Sequence, residues 1–340
     1  MYIFFVLNHP AHYHLFKNSI RELSKKNHQC EIFIRPKDVL KSLLDEDLVD
    51  YNILSERKQN RRKIFLSSIL GLIKKDFQLA KYVQNKKPDI MIGTDWAITN
   101  IGKIFNVPSI VLNEDDTEAT PENKIFYPLA TTLLLPDCCD KGMWNKKKIS
   151  YAGYHELAYL HPNRFIFDKN ILKSKIVEEK PYIIVRLVKL TASHDIGKRG
   201  LGQELIIEII NIARNQYEIY ISFEDEIIPG FEMYAYSFNP GLMHQFLAGA
   251  NLVIGDSQTM IAEAAVLGTP SIRFNDFVGK LGYLDELENK YELSFGYKTN
   301  EKDRFLLKVE EILKDRKIKK QWDIKVKAML SDKIDVTAFM

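Results

Sequence analysis

The run Gly255-Asp256-Ser257-Gln258-Thr259-Met260, continuing through Glu263 to Gly268 and Pro270, has the residue types and spacing of an anion site. It follows a short apolar run, 251–254, that reads as a buried strand. A small polar turn then feeds a helix over 260–267. The first backbone N–H groups of such a helix have no partner inside it, and the helix dipole favours negative charge there. Ser257, Gln258 and Thr259 are therefore candidates to hold a diphosphate. Glu263 lies about two turns in, where its carboxylate can accept two hydrogen bonds from a vicinal diol such as a ribose. Gly268 and Pro270 end the helix, and Ser271 begins another strand. The plain alternative is an ordinary strand–turn–helix–turn–strand unit.

A second constellation follows the first apolar run. Three of the eight histidines, His9, His12 and His14, fall within six residues of Asn8-His9-Pro10-Ala11-His12-Tyr13-His14. They sit where a doubly wound fold presents its first loop to ligand. His9 and His12 are candidates for substrate contact or acid–base work, with capping of the turn as the alternative. Histidines two apart beside a proline match no common zinc pattern, and no Cys or carboxylate is local to them, so no metal site is expected.

The third set is acidic. Asp95 follows the apolar strand 89–93, and Gly93 lets that loop approach a ligand closely. Glu114-Asp115-Asp116 follows the strand 108–112, although three acids after a strand are often a solvated loop. Clustered carboxylates in a partly dry cleft can hold different pKa values, one protonated and one ionised. Asp95 is the leading candidate base, its pKa expected to be raised by Trp96 and by acids at Glu114 and Glu122, with His12 second.

These groups must be positioned by a strand–helix alternation that runs nearly the whole length. Strands are expected at 3–7, 30–34, 51–54, 89–93, 108–112, 133–135 and 149–151, with helices between them. The rhythm pauses through 155–180 and resumes with strands at 182–188, 218–222, 233–236, 252–255 and 271–274, and a last helical stretch at 303–329. This alternation predicts an α/β protein with two Rossmann-like, doubly wound parallel sheets facing a central cleft. The expected domains are 1–165, 166–325 and a terminal helix or tail at 326–340. No Gly-x-Gly-x-x-Gly follows the first strand and no P-loop spacing occurs, which disfavours a dinucleotide oxidoreductase.

Composition bounds the function. The 340 residues exceed what one core usually serves, and 46% apolar with 27% charged residues is ordinary for a globular protein. A net charge of +3 gives no general case for nucleic acid. Local basic runs, Arg57–Lys63, Lys74-Lys75, Lys86-Lys87 and Lys146–Lys148, read first as solvated faces, with an acidic lipid surface or a phosphate-bearing acceptor as the alternative. Cys30, Cys138 and Cys139 form no disulfide or zinc pattern, which points to a reduced, cytoplasmic setting. No stretch reaches the ~20 apolar residues of a membrane span.

The Asp256, Ser257, Glu263, Gly268, Pro270 spacing resembles the nucleotide-sugar signature of the GT-B superfamily, especially the non-hydrolysing UDP-N-acetylglucosamine 2-epimerases. What the resemblance implies is diphosphate at Ser257–Thr259 and ribose at Glu263. Gly93-Thr94-Asp95, Leu112-Asn113-Glu114 and Pro121-Glu122-Asn123 are similar to three further epimerase motifs, and Ser193-His194-Asp195 to a fourth. Asp95, Glu114, Glu122 and His194 are therefore implied acid–base residues. The first loop and Ser193-His194-Asp195-Ile196-Gly197 also resemble a bacterial family defined as a domain of unknown function, placed near GT-B sugar enzymes and found among surface-polysaccharide genes.

Departures from the epimerases shape the expectation. Gln258-Thr259 replaces their Gly-Gly, and Asn8-His9-Pro10-Ala11 replaces a loop that carries an Arg near the diphosphate. The Arg pair of their His loop becomes Asp195-Ile196, with Lys198 and Arg199 arriving later. Lys189, Lys198 or Arg199 is left to offset the leaving diphosphate, with His9 as a further donor contact. The expected activity is a glycosyltransferase using a nucleotide-sugar, most simply UDP-linked, without a metal or other cofactor. A 2-epimerase or sugar-nucleotide hydrolase is the alternative enzyme, and a non-catalytic sugar-nucleotide-binding subunit the alternative outside catalysis. Implied partners are a glycan or lipid-linked acceptor at the inner face of the membrane, with a homodimer compatible.

Overall fold

The computed structural model describes residues 1–35, 38–54, 64–173, 180–188, 200–224 and 226–340. They form two compact units, Met1–Tyr159 with Asp335–Met340, and Leu160–Ile334.

The first unit is a seven-stranded, all-parallel sheet in the order β3-β2-β1-β4-β5-β6-β7. Its strands are β1 (Tyr2–Leu7), β2 (Gln29–Ile34), β3 (Asn52–Ile53), β4 (Ile90–Gly93), β5 (Ser109–Leu112), β6 (Thr132–Pro136) and β7 (Lys148–Tyr151). The central strand reads Tyr-Ile-Phe-Phe-Val-Leu and is buried from Ile3 onward, as a parallel strand covered by helices on both faces must be. Helices α1 (Pro10–Lys25), α2 (Asp38–Glu46), α3 (Ile64–Asn85), α4 (Ala97–Phe105) and α5 (Asn123–Phe126) make or precede the crossovers. Pro10 opens α1 at the position where a missing N–H costs nothing, and the His9 side chain caps it by accepting from Ala11 N.

Between β1 and β4 the strand order reverses direction. In an open parallel sheet this switch point, at the carboxyl ends of the strands, is where a crevice for ligand opens. Val6 pairs with Gly93 there. A Cβ on Gly93 would come within 2.6 Å of the Val6 carbonyl oxygen, so only glycine lets the strands approach this closely.

The second unit repeats the plan with five parallel strands in the order β12-β11-β10-β8-β9. These are β8 (Tyr182–Leu187), β9 (Glu218–Phe223), β10 (Leu252–Gly255), β11 (Ser271–Phe274) and β12 (Ser294–Tyr297). Its helices are α6 (Lys169–Lys173), α7 (Gln203–Ala213), α8 (Met243–Gly249), α9 (Gln258–Val266), α10 (Gly282–Asp285), α11 (Lys302–Lys314) and α12 (Ile318–Asp332). The alternate residues Ile183, Val185 and Leu187, with Leu252 and Ile254, pack beneath α7 and α11. The switch point lies between β8 and β10. Two doubly wound parallel sheets are what the alternation predicts.

Two local expectations are corrected. The strand expected at 233–236 is a 3-10 turn, Glu232–Tyr234, with only Ala235 bridging Ile221 at the sheet edge. The helix expected over 303–329 is two, because the extended backbone of Asp315 ends α11, and its carboxylate turns the chain by accepting from Lys317 N at 2.7 Å. Helix α13 (Val336–Phe339) returns to the first unit, where Thr337 donates to the Ala158 carbonyl at 2.7 Å. No helix among the described residues is long and apolar enough to cross a membrane.

Candidate functional site

At the switch point of the first unit the ends of β1 and β4 bring Asn8, His9, His12, Thr94 and Asp95 together. Asn8 N–H donates to His12 Nδ1 at 3.2 Å, which assigns the proton of the neutral ring to Nε2. Thr94 Oγ1 lies 2.8 Å from Nδ1 and 3.0 Å from Nε2. Asp95 is buried, and its oxygens are already taken. Lys75 Nζ of α3 donates to both, at 2.7 and 2.5 Å, Ala97 N donates to Oδ1 at 2.6 Å, and the Asn8 amide donates to Oδ2. The side chains of Lys75 and Asp95 are each only 4% exposed, so this is an interior ion pair. Beside it Trp96 stacks flat on Phe126 of α5, with centroids 4.0 Å apart.

One strand further along, after β5, Glu114 enters a second buried cluster. Its Oε2 accepts from His155 N at 3.0 Å and its Oε1 lies 3.4 Å from His155 Nδ1. Burial pushes the His155 ring down to about 3, so it stays neutral and this contact is not an ion pair. Burial first, and the neighbouring Glu156 second, hold the Glu114 carboxyl well above the usual carboxylate range. Tyr151, Cys138 and Cys139 complete the buried surroundings. A carboxyl group with a raised pKa can give or take a proton during a reaction.

In the second unit Ser257 caps α9, its Oγ accepting from Met260 N at 3.3 Å. Gln258 and Thr259 are half-buried in the first turn. Gly268, at φ +80°, ends the helix as the sequence predicts, with Thr269 N bonding back to Ala264 O at 2.9 Å. Glu263 is buried and its Oε1 lies 3.0 Å from His244 Nε2 of α8. Arg186 on β8 pairs in register with Gly255. Its Nη1 donates to Ser222 Oγ at 2.8 Å, and its Nε is buried without a hydrogen-bond partner among the described residues. Asp256, Glu224 and Glu263 surround it with negative charge.

A family model described as "Protein of unknown function (DUF354)" matches residues 1–334. The chain belongs to that family. No curated protein matches the sequence. Among solved structures, the S. aureus MnaA–UDP co-structure is similar with a TM-score of 0.71 at 13% identity, over 99% of this chain and 94% of that one. UDP-GlcNAc 2-epimerase from Neisseria meningitidis bound to UDP-GlcNAc gives 0.58 at 12% identity, over 97% of this chain and 100% of that one. Spinosyn rhamnosyltransferase SpnG, complexed with spinosyn aglycone, gives 0.63 at 12% identity, over 100% and 98%. At such identities the likeness carries the fold: this DUF354 chain has the GT-B fold that glycosyltransferases and 2-epimerases share.

Of the DUF354 residues singled out in the sequence, His9, His12 and Asp95 meet at one strand edge, and Glu114 lies at the next strand. Glu122 sits half-buried at the start of α5 and makes no capping bond. Ser257, Gln258, Thr259 and Glu263 share the first two turns of α9. His194 and Arg199, like Lys189, Lys198 and the basic run 57–63, lie outside the described residues. Lys75, His155, Glu156, Arg186 and His244 were not singled out. Arg186 carries a usable signal, since an arginine inside an otherwise apolar strand, half-buried here, is placed there only for a reason.

Asp256 gives a test of this geometry by titration. It accepts from Val188 N at 2.8 Å and Leu201 N at 3.3 Å, yet burial pushes it from 3.8 up to about 6. A folded-state pKa above the unfolded one adds stability below pH 3.8 that is lost as pH rises through about 6. The loss is roughly 3 kcal/mol at 1.36 kcal/mol per unit. Denaturant titrations of wild type and Asp256→Asn across this range should show the variant gaining on wild type by that order. A difference independent of pH refutes the assignment.

Proposed function

We propose that the protein is a glycosyltransferase that takes a sugar from a nucleotide-sugar, most simply UDP-linked, to a glycan or lipid-linked acceptor of bacterial surface polysaccharide. The observation that carries this reading is the switch point of the second unit. There the capped N-terminus of α9, the half-buried Arg186 and the Glu263–His244 pair share one end of the sheet. The N–H groups of Gln258 and Thr259, the Ser257 hydroxyl and the Arg186 guanidinium supply positive potential to a diphosphate. That charge stabilises the diphosphate as the anomeric C–O bond breaks, which is the role a metal ion has elsewhere. Glu263, oriented by His244, accepts from the ribose diol.

In this proposal the first unit carries the acid–base groups. Asp95 is an anchor, because Lys75, Ala97 N and Asn8 already occupy its oxygens, and the role of base passes to Glu114. His12 offers Nε2–H as a donor to a substrate oxygen. A second reading, 2-epimerisation, is supported by the pairing of Glu114 with Glu156 beside a neutral His155, since epimerisation needs one group to remove a proton and another to return it.

Glu263→Ala should weaken UDP binding by ~1–3 kcal/mol, the usual loss for hydrogen bonds to a charged group. Calorimetry on a folded variant checks this, and unchanged affinity removes Glu263 from the site. A thermal-shift series with UDP-, GDP-, CMP- and dTDP-sugars identifies the donor, because a ligand that binds the native state raises its stability. UDP released only when acceptor is present means transfer, UDP released without acceptor means hydrolysis, and conversion of the UDP-sugar to its 2-epimer without net UDP release means epimerisation.

A further inference from the structure

On the outer edge of the second sheet, two strands away from β10, β12 borders a cavity of about 260 Å³. Asp285, Glu288, Asn289, Ser294, Tyr297 and Arg304 line it. None of these residues belongs to the switch-point site.

The wall is built around a buried charge. Arg273 projects from β11 with no exposure, and its Nε donates to Glu288 Oε1 at 3.0 Å while Nη2 lies 2.8 Å from the same oxygen. Its Nη1 is buried with no hydrogen-bond partner among the described residues. Such a group costs roughly 1–3 kcal/mol, so the arginine is not there for stability. It fixes Glu288 instead. The other carboxylate oxygen, Oε2, lies over Gly296, where a Cβ would come within 2.6 Å. Glycine at this register position therefore makes room for a carboxylate at the cavity wall.

The remaining lining is arranged to match. Residues Glu286–Lys290 form a π-helical turn, with Tyr291 N bonding to Glu286 O at 3.1 Å. Turns of this kind are strained and recur at functional sites. Asn289 Nδ2 donates to Asp285 Oδ1 at 2.8 Å, which orients an amide oxygen and a carboxylate side by side. The Arg304 guanidinium, which also pairs with Glu301, lies 5.8 Å from the Tyr297 ring.

We propose that this cavity is a saccharide-binding site, taking one neutral hexose unit of a glycan. Its volume falls just below the ~300–1,000 Å³ of sites for drug-sized ligands, which suits a single sugar ring. Paired carboxylate and amide oxygens with a guanidinium match the vicinal hydroxyls of a pyranose, each of which donates and accepts. Tyr297 offers an apolar face for ring C–H groups. Arg273 offsets Glu288 and Glu301 offsets Arg304, which leaves Asp285 as the one uncompensated charge among the described lining residues, so the site disfavours an anion and suits a neutral sugar. The proposal does not depend on the nucleotide reading of α9.

Saturation-transfer NMR on the full chain with N-acetylglucosamine, glucose, galactose and rhamnose tests it. Wild type should show transfer to at least one of them, unaffected by saturating UDP and unaffected in Glu263→Ala. The double variant Asp285→Ala/Asn289→Ala changes two exposed side chains, so it should fold; it should lose at least ~10-fold in sugar affinity, about 1.4 kcal/mol, while keeping wild-type UDP affinity. Three outcomes overturn the proposal: no transfer to any of the four sugars, equal binding in the double variant, or displacement of the sugar by UDP, which places it in the nucleotide site.

Discussion

Glu114→Gln is expected to lower sugar transfer by ~100-fold or more, as loss of a general acid–base group typically does, with UDP affinity unchanged. The two largest causes that raise Glu114, burial and then the charge of Glu156, can be separated. If Glu114 acts as base, wild-type activity climbs as pH rises through its raised pKa. Glu156→Gln removes the Coulombic cause and should move that limb toward lower pH without abolishing it. The same shift has a signature in stability. Because the folded pKa lies above the unfolded one, protonated Glu114 stabilises the fold in acid, and that contribution is lost as pH rises. Glu114→Gln should therefore gain stability relative to wild type as pH rises above the ordinary carboxylate range. A pH–rate profile that keeps its limb in Glu114→Gln would show that the base lies elsewhere.

Much of this arrangement is legible in the sequence because local chemistry dictates it. The strand, Ser257 cap and Gly268 stop of α9 are set by residues within a few positions of one another, and the helix forms as they require. Strand–helix alternation likewise determines two parallel sheets, and β4 then delivers Asp95 to the switch point. Residues that depend on distant parts of the chain are harder to see. Lys74-Lys75 reads as a solvated basic pair, yet neighbours on a helix point about 100° apart. Lys74 is exposed and Lys75 is buried against Asp95. His155 and Glu156 lie in a 3-10 turn, His155–Ala158, within a stretch that has no periodicity to read. Their meaning comes only from Glu114, which precedes His155 by 41 residues. The strand β12 is equally misleading: Ser-Phe-Gly-Tyr alternates small and aromatic residues, yet its burial does not follow that alternation, and Gly296 answers to Glu288 rather than to strand propensity.

Breaking the Lys75–Asp95 pair should cost more stability than any other single change considered. With both side chains 4% exposed, removing one partner leaves a bare charge in the interior, a loss of ~3–5 kcal/mol. Lys75→Met and Asp95→Asn should each fall in that range by chemical denaturation. The Lys75→Met/Asp95→Asn double variant, which buries no charge, should recover most of the loss. The cycle also decides what Asp95 is for. Were it the catalytic base, Asp95→Asn would fold normally and lose turnover, and adding Lys75→Met would restore nothing. If it anchors the Asn8–His12 loop to α3 and α4, the double variant regains the fold and with it much of the activity, since Asn can still accept from Ala97 N through its carbonyl oxygen. The geometry favours the anchor: an oxygen pair that receives Lys75 twice, Ala97 N and the Asn8 amide has little capacity left to take a proton from substrate. A double variant as unstable as the single ones would mean that the pair is not what holds this part of the sheet together.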